Sequence, residues 1–282
     1  MSTTTVSFDG FPLIGTSPEG GQFRVTGMDG WLGKALRRDR QSRAGQSGDW
    51  PAAGNVSGKT VTISGQGVYA DPAAAARERR NMQALGGRGL TEFVVVDAAG
   101  TLTAFVETDA IDVKPARDTM LDFTITVHAP DPTLYGPMAF TQVPYGSTVG
   151  GTGLTYPLTY PLDYGVPAGV TPGSVTVANN GTVAYWPRIR IDGPVTNPAL
   201  SLVETGDSVR YNGTVAAGAH LDIDCANHRV TIGDNPVSVR RWVSAVGNWL
   251  AVPPGGGSVA ATADSAGASA LLSVWSYEGA CS

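Results

Sequence analysis

The sequence predicts a mainly β protein with one α-helix, and three observations lead to this fold class. The 282 residues include 37 glycines and 19 prolines, scattered between apolar stretches rather than gathered in one segment. Many short stretches alternate apolar and polar side chains, as strands with one buried face do. Beyond position 175, turn signals recur about every ten residues. This spacing is typical of a β-sandwich or jelly roll.

The first 137 residues predict a β-sandwich against which one helix packs. Strands are predicted over four segments: 61–65, 92–97, 101–107 and 120–129. In the last segment, four apolar side chains share one face: Leu121, Phe123, Ile125 and Val127. Asp71 suits a helix N-cap, Pro72 the first helical position and Gly86 a left-handed stop. We therefore expect one helix between residues 72 and 85.

Residues 138–174 predict an extended connector, and residues 175–282 a second β-domain. The connector is rich in Gly, Pro and Tyr, and proline removes backbone donors that a central strand needs. The second domain contains ten short strand-like segments, VRRWV (239–243) and NWLAV (248–252) among them. Ten residues are predicted to lie in the connector or at the corners beside strands: Asp131, Pro132, Tyr135, Gly136, Pro157, Pro161, Gly193, Pro194, Asn197 and Pro198.

Charge and cysteine usage exclude several classes of protein. The formal net charge of −5 argues against a general polyanion-binding surface, and the basic stretch 31–49 is interpreted as a solvated strand or loop. No apolar run is long enough for a membrane span, and the start of the chain lacks the pattern of a signal peptide. Cys225 and Cys281 exclude a disulfide framework; one bridge is possible, and their redox state stays open.

The sequence offers few groups for catalysis, so we expect neither an enzyme nor a bound cofactor. His220, Asp222, Asp224 and His228 are the best metal-ligand candidates, but three of them lie on the polar face of one predicted strand. No G-x-S-x-G elbow is present, and the glycines of GGTGL do not join a strand to a helix. Cys225 is interpreted as a small core residue.

Aromatic side chains allow a different function, the contact of a partner or a glycan. Trp249 and Trp275 lie in strand patterns with leucines, which favours core packing. Tyr185 and Trp186 come just before a predicted strand and are the better surface candidates.

An ordered series of motifs in the second half resembles one known family. NNGTVAYWPRIRIDGPVTNPAL (179–200), TGDSVRYNGTVAAGAHLDIDCANHRVTI (205–232) and NWLAVPPGGGSVAAT (248–262) follow in the order found in distal tail or minor tail proteins of long non-contractile-tailed, siphovirus-type phages. The segments DPTLYG and TYPLTYPLDYG resemble the join found in members from actinobacterial phages. The glycine run 255–257 departs from the family's usual turn.

The resemblance implies a structural protein of the virion at the tip, or baseplate, of the phage tail. Six copies are expected to form a ring between the tail tube protein and the tail-tip and receptor-binding proteins, with a part in host adsorption and genome ejection. The N-terminal domain would build the ring and a channel through which DNA passes without specific binding, and a galectin-like C-terminal sandwich would project outward. Assembly is expected in the host cytoplasm. The alternative is a carbohydrate-binding tail module that attaches to host cell-wall glycan.

Overall fold

The computed structural model describes residues 4–87, 89–149, 169–235 and 237–281 of the chain. It divides into two compact units: the first ends at Gly136 and includes Cys281, and the second runs from Pro137 to Ala280. The sequence predicts a boundary after Pro137, one residue further on.

The first unit contains eleven strands and one helix among its described residues. The helix is α1 (Pro72–Gln83). The strands are β1 (Thr5–Phe8), β2 (Phe11–Pro12), β3 (Gly15–Thr16), β4 (Gln22–Asp29), β5 (Leu36–Arg38), β6 (Gly54–Val56), β7 (Lys59–Val68), β8 (Thr91–Asp97), β9 (Gly100–Arg117), β10 (Met120–Ala129) and β11 (Leu134–Tyr135).

Antiparallel pairing joins most of these strands into one sheet of order β2-β1-β8-β9-β10-β7-β4-β3. Strand β9 is long enough to pair twice, first with β8 up to Val106 and then with β10 from Glu107 onward. The predicted strand 101–107 is therefore only the first half of β9. The predicted strand 120–129 coincides with β10, and its four alternating apolar residues are all buried.

The core of the first unit is formed by side chains from the inner faces of these strands and from α1. It is rich in aromatic residues, which meet edge to face or at a tilt: Phe8, Phe11, Phe23, Trp31, Tyr69, Phe93 and Phe123. Met82 of α1 is fully buried among them. Burial of each such side chain contributes about 1.5–3 kcal/mol, so the helix is held mainly by packing.

Helix α1 begins as the sequence predicts. The side chain of Asp71 accepts a hydrogen bond from the Ala74 amide at 2.9 Å, and Pro72 occupies the first turn. Such a cap stabilises a helix by about 1 kcal/mol. The helix ends at Gln83, and Gly86 has a φ of +72°, the left-handed conformation expected of it. A Cβ at Gly86 would overlap the side chain of Thr108.

The second unit is a β-sandwich. Its strands are β12 (Met138–Pro144), β13 (Gly146–Val149), β14 (Gly169–Val177), β15 (Arg188–Asp192), β16 (Val195–Thr196), β17 (Ala199–Leu202), β18 (Ser208–Tyr211), β19 (Thr214–Val215), β20 (His220–Asp224), β21 (Arg229–Ile232), β22 (Val243–Val246), β23 (Gly257–Thr262), β24 (Ser265–Ala266) and β25 (Leu271–Tyr277). A final short strand is β26 (Ala280–Cys281).

Two main sheets make up the sandwich. One has the order β12-β25-β15-β20-β21, and the other the order β13-β14-β23-β17-β18-β22. A three-stranded sheet, β19-β16-β24, accompanies them. The buried side chains alternate along the main strands, as in Ile189, Ile191, Leu221 and Ile223. The mainly β fold with a single α-helix in the described residues confirms the predicted fold class.

The range predicted as a connector differs from the structure at both ends. Residues 138–144 form β12, which pairs with β25 over its whole length, and residues 169–174 belong to β14. Strand β12 lies at the edge of its sheet, where a terminal Pro144 is tolerated because one side of the strand needs no donor. Exposed Met138 and Phe140 also weaken the alternation that marks a strand in the sequence. Residues 150–168 lie outside the described residues.

Two segments predicted as strands are not strands. Arg240–Trp242 form a short 3-10 helix, and only Val243 begins a strand. In NWLAV, Trp249 and Leu250 have φ values of +51° and +59°, which no strand allows, and the segment keeps a single bridge between Val252 and Tyr185. No helix among the described residues is long and apolar enough to cross a membrane.

Candidate functional site

The predicted turn before the second unit is held by Asp131. One carboxylate oxygen accepts from the Thr133 amide at 2.9 Å, and the other accepts from the Tyr135 hydroxyl at 2.6 Å. Pro132 lies in this turn, and Gly136 follows the short strand β11. Burial lowers the pKa of the Lys59 ammonium, and the charge of Asp131 opposes this shift. Pro157 and Pro161 lie outside the described residues.

The predicted corner Gly193–Pro198 holds the small sheet of the second unit together. The Gly193 amide donates to Ala219 at 2.9 Å, and a Cβ at Gly193 would overlap the carbonyl oxygen of Ala216. The Pro194 carbonyl accepts from the Gly267 amide at 2.9 Å. These bonds tie the first half of the corner to two distant segments of the chain.

The second half of the corner is fixed in the same way. Asn197 has a φ of +50°; its amide donates to Gly213 at 2.8 Å, and its side chain donates to Asp264 at 2.6 Å. The Pro198 carbonyl accepts from the Tyr211 amide at 2.9 Å. These hydrogen bonds of the corner lie within the second unit, where they position β16 between β19 and β24.

Tyr185 is not a surface residue, which corrects the sequence-based prediction. Its side chain is fully buried, its hydroxyl donates to Ala178 at 2.8 Å, and its ring meets Tyr277 edge to face at 5.8 Å. Burial raises the pKa of this hydroxyl. Trp186 is half-buried and donates through its indole nitrogen to Asn248 at 3.0 Å. Because Trp186 precedes Pro187, its backbone is held extended, and successive side chains of an extended chain point to opposite sides. Tyr185 therefore points into the core, and Trp186 points away from it.

The four candidate metal ligands do not form one cluster. Asp222 accepts two hydrogen bonds from Arg190, at 2.8 and 3.0 Å, while Asp224 accepts from Asn227. His228 stacks on Trp249, with ring centroids 4.8 Å apart. His220 lies 3.6 Å from Asp222. The described residues include no group of three His, Cys, Asp or Glu side chains suited to a metal ion.

The cysteines and two tryptophans can be placed as well. Cys225 is fully buried, and burial raises the pKa of its thiol; Cys225 and Cys281 are both free. Trp249 is buried as predicted, whereas Trp275 is only half-buried. Trp275 lies on the outer face of its sheet because Val274 and Ser276 point inward beside it.

Two strand edges of the first unit are open among the described residues. Strand β4 pairs with β7 on one side, and on the other side β3 covers only Gln22 and Phe23. Strand β9 from Glu107 onward pairs only with β10, while the Arg79 side chain donates to the Val113 carbonyl. These two edges bound opposite sides of the four strands β4-β7-β10-β9.

The outer face of these four strands is polar and acidic. By register, it carries hydroxyl side chains at its centre: Thr60, Thr62, Ser64, Thr124 and Thr126. Four carboxylates flank them, Asp29, Glu107, Asp112 and Asp122, and the register places three basic groups beside these: Arg24, Lys114 and Arg117. This face therefore has an excess of negative charge.

An exposed arm leaves the first unit between Gly30 and Ser57. Residues 32–42 are all exposed, and the arm forms the two-stranded sheet of β5 and β6 and one isolated bridge between Ser42 and Asp49. It carries five basic and two acidic residues, so its charge of +3 is opposite to that of the whole chain. Leu32, Leu36 and Trp50 are large apolar side chains that it exposes.

The burial of Glu78 is not evident from the sequence pattern. This residue lies in the run ARERR, which reads as the solvated side of α1, yet it is fully buried. Its position in the helix could have revealed the burial. Glu78 lies three residues after Ala75 and four residues from both Ala74 and Met82, so all four share the buried face of the helix.

Comparison with known proteins gives one family match and several structures of similar fold. Residues 180–272 match the family model of the C-terminal domain of siphovirus-type tail components. A search of curated proteins gave no match. The fold resembles the crystal structure of SPP1 Dit (gp 19.1), described as a paradigm of the hub adsorption apparatus in phages that infect Gram-positive bacteria. The TM-score is 0.59 and the identity 13%, over 98% of this chain and 99% of that one.

A second similar structure is a chain of the phage p2 baseplate in its activated conformation with Sr. Its TM-score is 0.50 and its identity 9%, with 98% of each chain covered. These findings support the resemblance of the chain to distal tail proteins of siphovirus-type phages, by a family match within the second half and by the fold over the whole length. The actinobacterial origin stays a prediction.

Proposed function

We propose that this protein is the hub of a phage tail tip, a hexameric ring that joins the tail tube to the tail-tip and receptor-binding proteins. Its role is structural rather than catalytic. The observation that carries the proposal is the likeness to SPP1 Dit, a hub protein, over 98% of the chain, together with the tail-component family match of residues 180–272.

The open edges of β4 and β9 support a head-to-tail ring. An unpaired strand edge is a template for pairing with another chain, and native proteins usually cover it. Here two edges bound opposite sides of the same four strands. If the β4 edge of each copy pairs with the β9 edge of the next, in a heterologous contact, every copy uses both edges. Once the ring closes, neither edge of any copy stays unpaired.

The acidic face of these strands supports a channel. If the sheets of six copies continue into one another, the Ser- and Thr-rich face with its four carboxylates lines the ring on one side. Negative charge repels the phosphates of DNA, so the genome passes without adhering. Replacing Asp29, Glu107, Asp112 and Asp122 with the corresponding amides tests this: we expect slower ejection of DNA, and unchanged ejection kinetics contradict the channel.

The basic arm supports contact with an acidic neighbour. An arm of charge +3 without a core of its own gains order when it docks, and the remaining chain carries −8. We assign the arm to contacts within the assembled hub, which forms in the host cytoplasm and functions in the virion.

Native mass measurement of the purified protein at low and high salt tests the ring. Six copies of 29.1 kDa have a mass of about 175 kDa, and we expect this species at low salt. A stable dimer or trimer over the whole concentration range contradicts the hexamer. If only a monomer is observed, the measurement is repeated after tail tube protein has been added. A monomer in the presence of tail tube protein also contradicts the proposal.

A further inference from the structure

The outer face of the five-stranded sheet in the second unit combines an aromatic surface with a polar groove. Cross-strand partners point to the same side of a sheet, so the register defines one row across it. The row contains Phe140, Trp275, Arg188, Asp224 and Arg229, in that order from β12 to β21. Its two ends therefore differ in chemistry.

The aromatic end consists of Phe140 and Trp275. Their ring centroids lie 5.0 Å apart with an interplanar angle of 45°, and Phe140 is 55% exposed. Arg190 approaches the indole ring at 5.9 Å and joins this end to the groove. Large exposed aromatic side chains on a strand favour stacking against a flat ligand surface.

The groove has a volume of about 390 Å³, at the lower end of the range for small-molecule sites. Three arginines and three aspartates line it: Arg188, Arg190, Arg229, Asp222, Asp224 and Asp234. Their formal charges cancel. A polyanion or a polycation therefore gains little net electrostatic attraction in the groove. A neutral ligand with many hydrogen-bond donors and acceptors can bond to the arginines and to the aspartates alike.

The floor of the groove is ordered before any ligand arrives. Arg190 donates two hydrogen bonds to Asp222, at 2.8 and 3.0 Å, and the His220 Nε2 atom lies 3.6 Å from the same carboxylate. The Asp222 side chain is only 15% exposed. Planar groups fixed in this way lose little entropy when they bind a ligand, which favours affinity.

We propose that this face, defined by Phe140, Trp275, Arg190, Asp222 and His220, binds a neutral saccharide. A sugar ring offers hydroxyl groups around its rim, which act as both donors and acceptors, and an apolar C–H face. The rim matches the fixed Arg190–Asp222 pair and His220, and the C–H face matches the aromatic end. This site does not include Trp186, and it replaces the glycan contact expected at Tyr185, which is buried.

Titration of the full-length protein with neutral trisaccharides of glucose, galactose, mannose and arabinose tests the proposal. Anionic probes, trigalacturonate and glycerol phosphate, are titrated in parallel. We expect calorimetric binding of at least one neutral sugar and at least tenfold weaker binding of the anionic probes. Absence of binding by every neutral sugar, or preference for an anionic probe, overturns the proposal.

Two variants locate the site. Trp275→Ala and the double variant Arg190→Gln with Asp222→Asn should each weaken binding at least tenfold. Arg210→Gln, which removes an arginine paired with Asp264 elsewhere in the unit, is the matched control and should bind as the wild type does. Melting curves establish that each variant is folded, and affinity unchanged in both folded site variants places the sugar elsewhere and overturns the proposal. The oligomeric state is a separate readout, so the ring and this site can fail independently.

Discussion

The hydroxyl of Ser17 donates a hydrogen bond to the carboxylate of Glu78 at 3.0 Å, although 61 residues separate the two. The same carboxylate oxygen accepts from the Glu19 amide at 3.0 Å, and Ser17 in turn accepts from the Gly21 amide. The fully buried Glu78 therefore pins the turn 17–21 to helix α1.

Replacing Glu78 with alanine should destabilise the first unit. The change leaves the Ser17 hydroxyl and the Glu19 amide without their acceptor, and loss of a buried acceptor of this kind costs about 2–3 kcal/mol. Glu78→Gln keeps one acceptor oxygen and should cost clearly less. Urea unfolding measures both, and equal stability of the alanine variant and the wild type would contradict the pin.

The open edge of β4 predicts a variant that folds but does not assemble. Thr26 is exposed and lies at a register shift, where it is skipped in the ladder with β7 and only its hydroxyl donates to the Ser64 carbonyl, at 3.1 Å. Proline is tolerated at such a bulge, yet it removes an N–H from the strand edge. We expect Thr26→Pro to melt near the wild-type temperature and to remain monomeric, while the control Thr26→Ala, which loses the same hydroxyl but keeps the N–H, assembles. A Thr26→Pro ring as stable as the wild-type ring excludes this edge from the interface.

The corner at Gly193 predicts a strong effect of one methyl group. A Cβ there overlaps the Ala216 carbonyl, which is backbone and cannot move aside cheaply. We expect Gly193→Ala to lower the free energy of unfolding by about 3 kcal/mol, the upper range for point mutations. The matched control is Gly206→Ala, where φ is +75° but the space is open; strain alone costs about 1 kcal/mol. Similar losses in both variants would show that the close approach is unimportant.

Cys225 predicts a loss of stability in mild alkali. Burial raises the pKa of this thiol in the folded state, so the folded protein keeps its proton while the unfolded chain releases it above pH about 8.5. Stability from this group is full below that pH and decreases above it, by up to about 1.4 kcal/mol per pH unit. Unfolding between pH 7.5 and 9.5 should show a smaller decrease in Cys225→Ala; identical slopes would contradict this assignment.

The features predicted best from the sequence are those that local chemistry decides. Asp71 and Pro72 start a helix because they satisfy its first amides, and β10 alternates strictly because one face packs in the core. Likewise, the corner Gly193–Pro198 can be predicted from the sequence because glycine, proline and asparagine favour turns.

The features that were missed depend on distant parts of the chain. Glu78 is buried because the turn 17–21 supplies its donors, and no helical pattern encodes that turn. Tyr185 is buried because Ala178 and Tyr277 enclose it. The groove needs three strands, β15, β20 and β21, and Trp275 beside it lies on a fourth, β25; only the sheet order brings these separate segments together.

A reconstruction of the intact tail tip by electron cryo-microscopy tests the hub proposal most directly. The account predicts one closed ring of six copies of this chain below the last ring of the tail tube, with the β4 edge of each copy paired to the β9 edge of the next. Absence of this chain from the distal end of the tail, or a copy number other than six around the axis, would contradict it.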